Sequence, residues 1–323
     1  MTERIWQLEK IIEKEEWSMN KKVKILVVGS FVMDTISSTE IFPESGQTVL
    51  GYQYTTAPGG KGANQACAIG RLGGNVSMLG CVGNDSFGKT QMESLTHCGV
   101  CMKHIQEEET LTGTAVIFVD QDGNNSIVVL SGANKRCDIE YIKRRDQLFQ
   151  EADYIMFQME IPTETVYYGL RRAKELGKKT LLNPAPVPEF IPDEVWSQID
   201  YLTPNETELM KLTGIQDTSE SSIRKGAKSL IEKGVKNILV TLGERGALFI
   251  NGEVEQHFPA RSVQAVDTTA AGDCFNGAFV MALAEGKTVE EAIKFANIAS
   301  SITVTRKGAQ SSIPYKDEVK NYI

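Results

Sequence analysis

The sequence predicts an α/β fold, a mostly parallel central sheet flanked by helices on both faces, with a small β flap beside it. Three observations carry this. Short apolar runs lack the polar alternation of a half-exposed strand, helical stretches separate them at regular intervals, and two β-patterned segments break the rhythm early. Strands covered on both faces read as continuous apolar runs, and parallel neighbours need crossover connections, usually helices.

Taken in order, residues 1–20 read as an N-terminal extension, with Ile5, Leu8 and Ile12 at the spacing of a short amphipathic helix and Met19 offering an internal start. From residue 21 to 323 the chain reads as one unit. Val23–Val28 is the first apolar run and ends in Gly29-Ser30; similar runs follow at Asn75–Val82, Tyr154–Met159, Lys179–Leu182 and Asn237–Leu242. Helical patterns occupy Ala63–Leu72, Phe87–His97, Thr163–Leu176, Ser219–Lys233, Ala271–Ala284 and Val289–Thr303. Gln47–Thr56 and Thr114–Leu130 read as antiparallel β structure, the second turning at Asp122-Gly123-Asn124-Asn125. They predict a flap from about residues 40–57 and 114–131. It would cover the carboxyl ends of the strands, where open α/β sheets bind ligands, as a lid does. No repeat, low-complexity segment or linker divides the chain.

Composition narrows the function. The 323 residues include 42 acidic and 34 basic side chains, a net charge of −8, and 41% apolar residues. That is enough for a sizeable core, and no cationic run is present to meet a nucleic acid or an anionic membrane. No apolar stretch approaches a membrane span. Charged residues interrupt the start from Glu3 to Glu15, unlike a signal peptide, so the expected location is the cytoplasm. Six cysteines are too sparse for a disulfide scaffold. His97, Cys98, Cys101 and His104 lie close together, but Gly99-Val100 reads as a helix end turning into a strand, and the four read as ordinary helix-end residues rather than zinc ligands.

Four segments carry chemistry. Asp267-Thr268-Thr269-Ala270-Ala271-Gly272-Asp273 opens a helix with small residues, leaving N–H groups and the helix dipole open to an anion. An Asp in the same turn can accept a proton from an attacking hydroxyl, or merely sit near a cap. Pro58-Gly59-Gly60-Lys61-Gly62-Ala63-Asn64-Gln65 lets backbone approach a ligand, but it is neither a Walker A motif nor a dinucleotide fingerprint. In Thr203-Pro204-Asn205-Glu206-Thr207-Glu208, Asn205 and Glu208 share a helix face, suited to hydrated Mg²⁺ or to a capping box. Thr241-Leu242-Gly243-Glu244-Arg245-Gly246 is a glycine turn after a strand, suited to a nucleotide or to a plain hairpin.

From about Lys24 to Pro314 the chain resembles the ribokinase-like (PfkB) carbohydrate kinases, and within them the ribokinase branch. The resemblance rests on Gly59-Gly60-Lys61-Gly62-Ala63-Asn64-Gln65-Ala66, Leu182-Asn183-Pro184-Ala185-Pro186, the Thr203–Glu208 block, Val266–Asp273, and Val304-Thr305-Arg306-Lys307-Gly308-Ala309-Gln310. It implies a ribokinase-like α/β fold whose β lid also tends to form a dimer interface, and transfer of a phosphoryl group from ATP to the 5-hydroxyl of a pentose. By the same resemblance Asp273 is the catalytic base, and the backbone of Ala270, Ala271 and Gly272 forms the anion hole. Asp34, Gly59, Gly60, Asn64 and Glu160 match sugar-binding positions. Asn205, Thr241, Gly243 and Gly246 match nucleotide positions, with Asn297 at the adenine pocket. Glu208 matches the position that organises Mg²⁺. Asp267, Thr269, Thr303, Arg306, Gly308 and Ser312 match those of an activating monovalent cation, usually K⁺.

One departure matters. Ribokinases typically end the first strand Gly-Ser-x-Asn-x-Asp, whereas here Gly29-Ser30-Phe31-Val32-Met33-Asp34 has Val32 at the Asn position. Deoxyribokinases carry an apolar residue there. The resemblance therefore implies D-ribose, with 2-deoxy-D-ribose as the alternative; a nucleoside kinase and a catalytically silent sugar-binding module are more remote.

Overall fold

The computed structural model describes residues 23–322; the helix expected within 1–20 lies outside them. The chain starts with β1 (Lys24–Val28), β2 (Val32–Thr39) and β3 (Gly51–Gly59), then α1 (Lys61–Arg71), β4 (Asn75–Leu79), β5 (Cys81–Gly83) and α2 (Ser86–His97). Next come β6 (Gln106–Glu108), β7 (Gly113–Val119), β8 (Asn125–Leu130), α3 (Ile139–Lys143), α4 (Asp146–Glu151), β9 (Tyr154–Gln158) and α5 (Thr163–Glu175). They are followed by β10 (Lys179–Asn183), α6 (Asp193–Trp196), β11 (Tyr201–Leu202), α7 (Glu206–Thr213), α8 (Glu220–Glu232) and β12 (Asn237–Thr241). The chain closes with β13 (Ala247–Asn251), β14 (Glu255–Phe258), α9 (Ala271–Ala284), α10 (Val289–Thr303) and α11 (Lys316–Lys320).

Eight strands form the main sheet in the order β14-β13-β12-β11-β10-β9-β1-β4. Pairing is parallel from β12 to β4 and antiparallel at the β12–β13–β14 edge. Alternation along β1 sends Ile25 and Val27 into one core with α1, α9 and α10, and Leu26 and Val28 into the other with α5 and α8. Both faces are thus covered, as the apolar runs required; each such side chain contributes about 1.5–3 kcal/mol on burial. β1 lies between β4 and β9, so the chain leaves it to opposite sides, and the crevice beyond its carboxyl end is the place where such sheets bind ligands. Among the described residues no helix is long and apolar enough to cross a membrane.

The small sheet runs β3-β2-β7-β8. It differs from the expected antiparallel flap in two ways. Its central pair, β2–β7, is parallel, and β2, which did not read as a strand, starts just beyond β1. Asp34, Ser37 and Ser38 dilute the apolar pattern of β2, and residues 40–50, expected within the flap, hold no strand. The run read as Asn75–Val82 also breaks at Gly80, where a Cβ would meet Gly29 O at 2.5 Å, and Cys81–Gly83 pairs instead with β6. The chain passes between the main body and the small sheet at Gly29–Phe31, Gly59-Gly60, Thr112-Gly113 and Ser131-Gly132. Asn134 clamps the first passage through Phe31 N (2.9 Å) and Phe31 O (2.7 Å), while Gln91 Nε2 donates to Val32 O (2.9 Å) and Gly59 O (3.1 Å).

The Cys98 region follows the helix-end reading. Gly99 takes φ 85°, Cys101 bridges to Ser77, His97 Nδ1 lies against Glu93 O of its own helix, and Cys98 Sγ contacts Cys67 Sγ at 2.8 Å.

Candidate active site

Helix α9 is entered through its N-cap Ala270, the one non-glycine residue with positive φ (60°) among those described, and no side chain caps it. A left-handed alanine costs about 1 kcal/mol; here it turns the chain into the helix, with Ala271 N donating back to Thr268 O (3.2 Å). Gly272 has nothing within 4 Å of the position a Cβ would take. Asp273, on the same turn, is only 7% exposed. Its Oδ2 accepts from Asn64 Nδ2 (2.9 Å) and its Oδ1 from Gln65 Nε2 (3.0 Å).

These partners come from α1, whose start is also without a side-chain cap. Its N-cap Gly60 has φ 92°, and a Cβ there would lie 2.6 Å from Val32 N; at Gly62 one would lie 2.5 Å from Ser30 N. Only glycine lets α1 come this close to the end of β1. The Asn64–Asp273 bond joins the opening turns of α1 and α9, so two helix N-termini converge and their dipoles favour negative charge between them.

Carboxylates surround this point. Glu160 Oε2 accepts from Lys61 N (2.9 Å) and from Ser30 Oγ, and Asp34 lies against Gly59, where a Cβ would meet its Oδ2 at 2.9 Å. Burial opposes the charge on Lys61, but Asp273, Glu160, Glu208 and Asp34 outweigh it and hold its pKa above the ordinary value. Burial raises the Asp273 carboxyl, against Lys61, Asn64 and Gln65, which favour its ionised form. Asp34 is pushed up to about 6 by burial first, then by Glu160 and Asp273, with Lys61 acting in the opposite direction. Lys61 was absent from the expected site. Its only signal was its place among glycines at a helix start, in a segment that failed the Walker A pattern.

The Asp34 shift has a sign that can be tested. Its folded pKa lies above its unfolded value of 3.8, so its contribution to stability is full at low pH and is lost as pH rises through about 6. At neutral pH the buried charge is a cost. Asp34→Asn is therefore expected to stabilise the fold by roughly 1–2 kcal/mol at pH 7.5 and to change it little at pH 4.5. Denaturant titrations at the two pH values check this; an equal effect at both would refute it.

The expected nucleotide positions also gather. Thr241 N donates to Pro204 O (3.0 Å), and Asn205 bridges Thr241, joining the end of β12 to the start of α7. The capping box is present: Glu208 N donates to Asn205 Oδ1 (2.8 Å), while the Glu208 carboxylate accepts from Asn205 N (2.9 Å) and Nδ2 (3.0 Å). Gly243 and Gly246 take φ 58° and 94°, and a Cβ on Gly246 would lie 2.1 Å from Phe258 O. Asn297 Nδ2 donates to Phe258 O (3.2 Å) and Pro259 O (3.3 Å), bringing α10 to the same loop.

Of the expected cation positions, Asp267, Thr269 and Gly308 are tied together. Asp267 Oδ1 accepts from Thr269 N (2.9 Å) and Oδ2 from Gly308 N (2.9 Å), and Val304 O accepts from both Val266 N and Asp267 N. Burial raises the Asp267 carboxyl, but the bonds from Thr269 and Gly308 outweigh it and hold its pKa below the ordinary value. Thr303 Oγ1 bonds Ala299 O (3.1 Å), Ser312 Oγ bonds Ala309 O (2.7 Å), and the Arg306 guanidinium pairs with Glu318.

Known proteins resemble this chain along most of its length. The model of the pfkB family carbohydrate kinases matches residues 22–316. The chain is 40% identical over 300 residues to a ribokinase of Haemophilus influenzae, covering 93% of this chain and 98% of that protein. It is 38% identical over 300 residues to a deoxyribokinase of Salmonella typhimurium, with the same coverage of 93% and 98%. Among solved structures, an Arabidopsis thaliana ribokinase complexed with ribose and ATP superposes with a TM-score of 0.87 at 33% identity, covering 93% of this chain and 98% of that one.

Proposed function

The chain belongs to the pfkB family of carbohydrate kinases and is an ATP-dependent sugar kinase, and we propose that it transfers the γ-phosphoryl group of ATP to the 5-hydroxyl of a pentose, D-ribose before others. The observation that carries the reading is the buried Asp273 carboxylate, facing Lys61 and two amide donors, in the first turn of a helix with an uncapped N-terminus. Asp273 is the base that takes the hydroxyl proton. Backbone N–H groups of Ala270, Ala271 and Gly272 stabilise the charge of the transferring group, because phosphoryl transfer depends mainly on positioning and electrostatics. Asp34, Gly59, Gly60, Asn64 and Glu160 hold the sugar. Asn64 Oδ1 supports this, being a buried acceptor with no hydrogen-bond partner, suited to a sugar hydroxyl. Lys61 offsets the gathered negative charge.

Asn205, Thr241, Gly243, Gly246 and Asn297 bind the nucleotide. The Glu208 carboxylate takes two hydrogen bonds from Asn205 and keeps lone pairs for waters of a hydrated Mg²⁺. That ion supplies neutralising charge on the phosphates when bound. The oxygen donors of Asp267, Thr269, Thr303, Arg306, Gly308 and Ser312 suit a hard cation such as K⁺, which would brace the loop just ahead of Ala270.

The small sheet is read as the lid and as the surface through which two copies pair. The strand register puts Val32, Asp34, Ile36, Ala115, Ile117, Ile127 and Val129 on one face. Ile127 and Val129 are 51% and 57% exposed, an apolar strip that a second copy would cover. Cytoplasmic residence belongs to the same reading, all six cysteines being free thiols.

Val32 favours a second reading, 2-deoxy-D-ribose. It shares the face of Asp34, is 5% exposed, and offers a sugar hydroxyl neither donor nor acceptor. An unpaired buried hydroxyl costs about 1–3 kcal/mol, or roughly 5- to 150-fold in kcat/KM. Initial rates of ADP release with D-ribose and 2-deoxy-D-ribose, with and without K⁺ at equal ionic strength, test the proposal. A higher kcat/KM for ribose and a clear rise with K⁺ are expected. Preference for deoxyribose selects the second reading, and silence with both sugars overturns the pentose assignment.

A further inference from the structure

Behind Asp273 lies a row of buried amides at the carboxyl ends of neighbouring strands. Gln65 donates from Nε2 to Asp273 Oδ1 (3.0 Å) and to Asn183 Oδ1 (3.2 Å), while its Oε1 accepts from Gln158 Nε2 (2.6 Å). Asn183 Nδ2 in turn donates to the backbone carbonyl of Thr203 (3.1 Å). Gln65 and Gln158 are fully buried and Asn183 is 7% exposed. Gly29 leaves the room for this row, since a Cβ there would lie 2.1 Å from Gln158 Oε1.

The row has a direction. A backbone carbonyl can only accept, so Thr203 forces Asn183 to point its NH₂ group there and its oxygen at Gln65. Gln65 must then present its own NH₂ group to Asn183, and the same nitrogen reaches Asp273. Gln158, donating to Gln65 Oε1, locks the same orientation from the other side. The amide therefore meets Asp273 as a donor and never as an acceptor.

We infer that Gln65 is a positioning residue for phosphoryl transfer: locked as a donor by Asn183 and Gln158, it keeps the Asp273 carboxylate ionised and holds Oδ1 inward, leaving Oδ2 on the sugar side. The inference rests on the reading of Asp273 as the base. An amide donor stabilises a carboxylate only in its charged form, so Gln65 counters the upward pull of burial on Asp273. The other charged or titratable groups facing Asp273 are Lys61 on α1, Glu160 beyond β9, Asp34 on β2 and Cys274 beside it on α9.

The test is the pH profile of kcat at saturating sugar and MgATP for the whole enzyme and for Gln65→Met, which keeps the volume and removes the donor. The acid limb is expected to move upward by about one pH unit, with kcat about tenfold lower at pH 7 and recovering towards the parent value by pH 9. Sugar affinity by calorimetry is expected within about threefold, as Gln65 does not reach the sugar positions. Asn183→Leu, which releases the lock while leaving Gln65 in place, should move the limb the same way by less, and serves if Gln65→Met does not fold. A uniform loss at every pH with an unmoved limb would mean that Gln65 only fills space, and overturns the inference. Asp273→Asn, run alongside, separates the two levels: an unmoved limb with Asp273→Asn inactive removes only the role of Gln65, whereas normal turnover by Asp273→Asn removes the base reading as well.

Discussion

Asp273→Asn is expected to fold, to bind sugar, and to lose phosphoryl transfer by about 10³- to 10⁴-fold. Asparagine matches aspartate in shape, so α9 and its close packing on α1 persist. What disappears is the proposed proton acceptor. Stability should hold or rise at neutral pH. The carboxyl is buried and its pKa is raised, so folding with this group charged costs free energy above its unfolded pKa, and a neutral amide removes that cost. One amide N–H will face a donor from Asn64 or Gln65, a local mismatch of about 1–3 kcal/mol that offsets part of the gain. Single-turnover rates and calorimetric sugar titration check both halves, and turnover near the parent rate would remove Asp273 from the base role.

Lys61→Met is expected to lower kcat by about 10²- to 10³-fold and to destabilise the protein in a pH-dependent way. The ammonium faces four carboxylates, Asp273, Glu160, Glu208 and Asp34, and its raised pKa means that its contribution is fully present throughout the neutral range. Without it, the buried Asp273 and the half-buried Asp34, Glu160 and Glu208 face one another uncompensated. Asp34, already pushed up to about 6, should take up its proton at still higher pH. The loss should therefore be large at pH 8 and smaller at pH 5, where the acids neutralise themselves. Equal destabilisation at the two values, or a rate within about threefold of the parent, would refute this account.

The contrast between Asp273 and Lys61 shows how far sequence alone reaches. The main sheet was legible because its strands are covered on both faces and read as unbroken apolar runs, Val23–Val28 being one instance. Helices α9 and α10 were read to their ends, since apolar content and small caps agree there. The start of α9 was legible because small residues and a glycine run straight into an apolar helical pattern, and the helix there carries no side-chain cap. β2 was not, because its site-facing polar residue interrupts the alternation that marks a strand, and the β13–β14 edge was hidden by a turn that served equally for a ligand. Lys61 and Gln65 were missed for a related reason: a lysine among glycines reads as solvated, and a buried glutamine has no pattern until strands 90 or more residues away bring Gln158 and Asn183 against it.

The four short passages between the main body and the small sheet divide the chain's inheritance. Val32 and Asp34 lie beyond them, on the small sheet, whereas Asp273, Gln65, Asn205 and Glu208 lie on the body. The expected sugar contacts therefore come from both sides of the passages, Asp34 and Gly59 from the small sheet and Asn64 and Glu160 from the body. A change on β2 can thus recast one wall of the sugar position while the acids and amides of the body stay in place behind it.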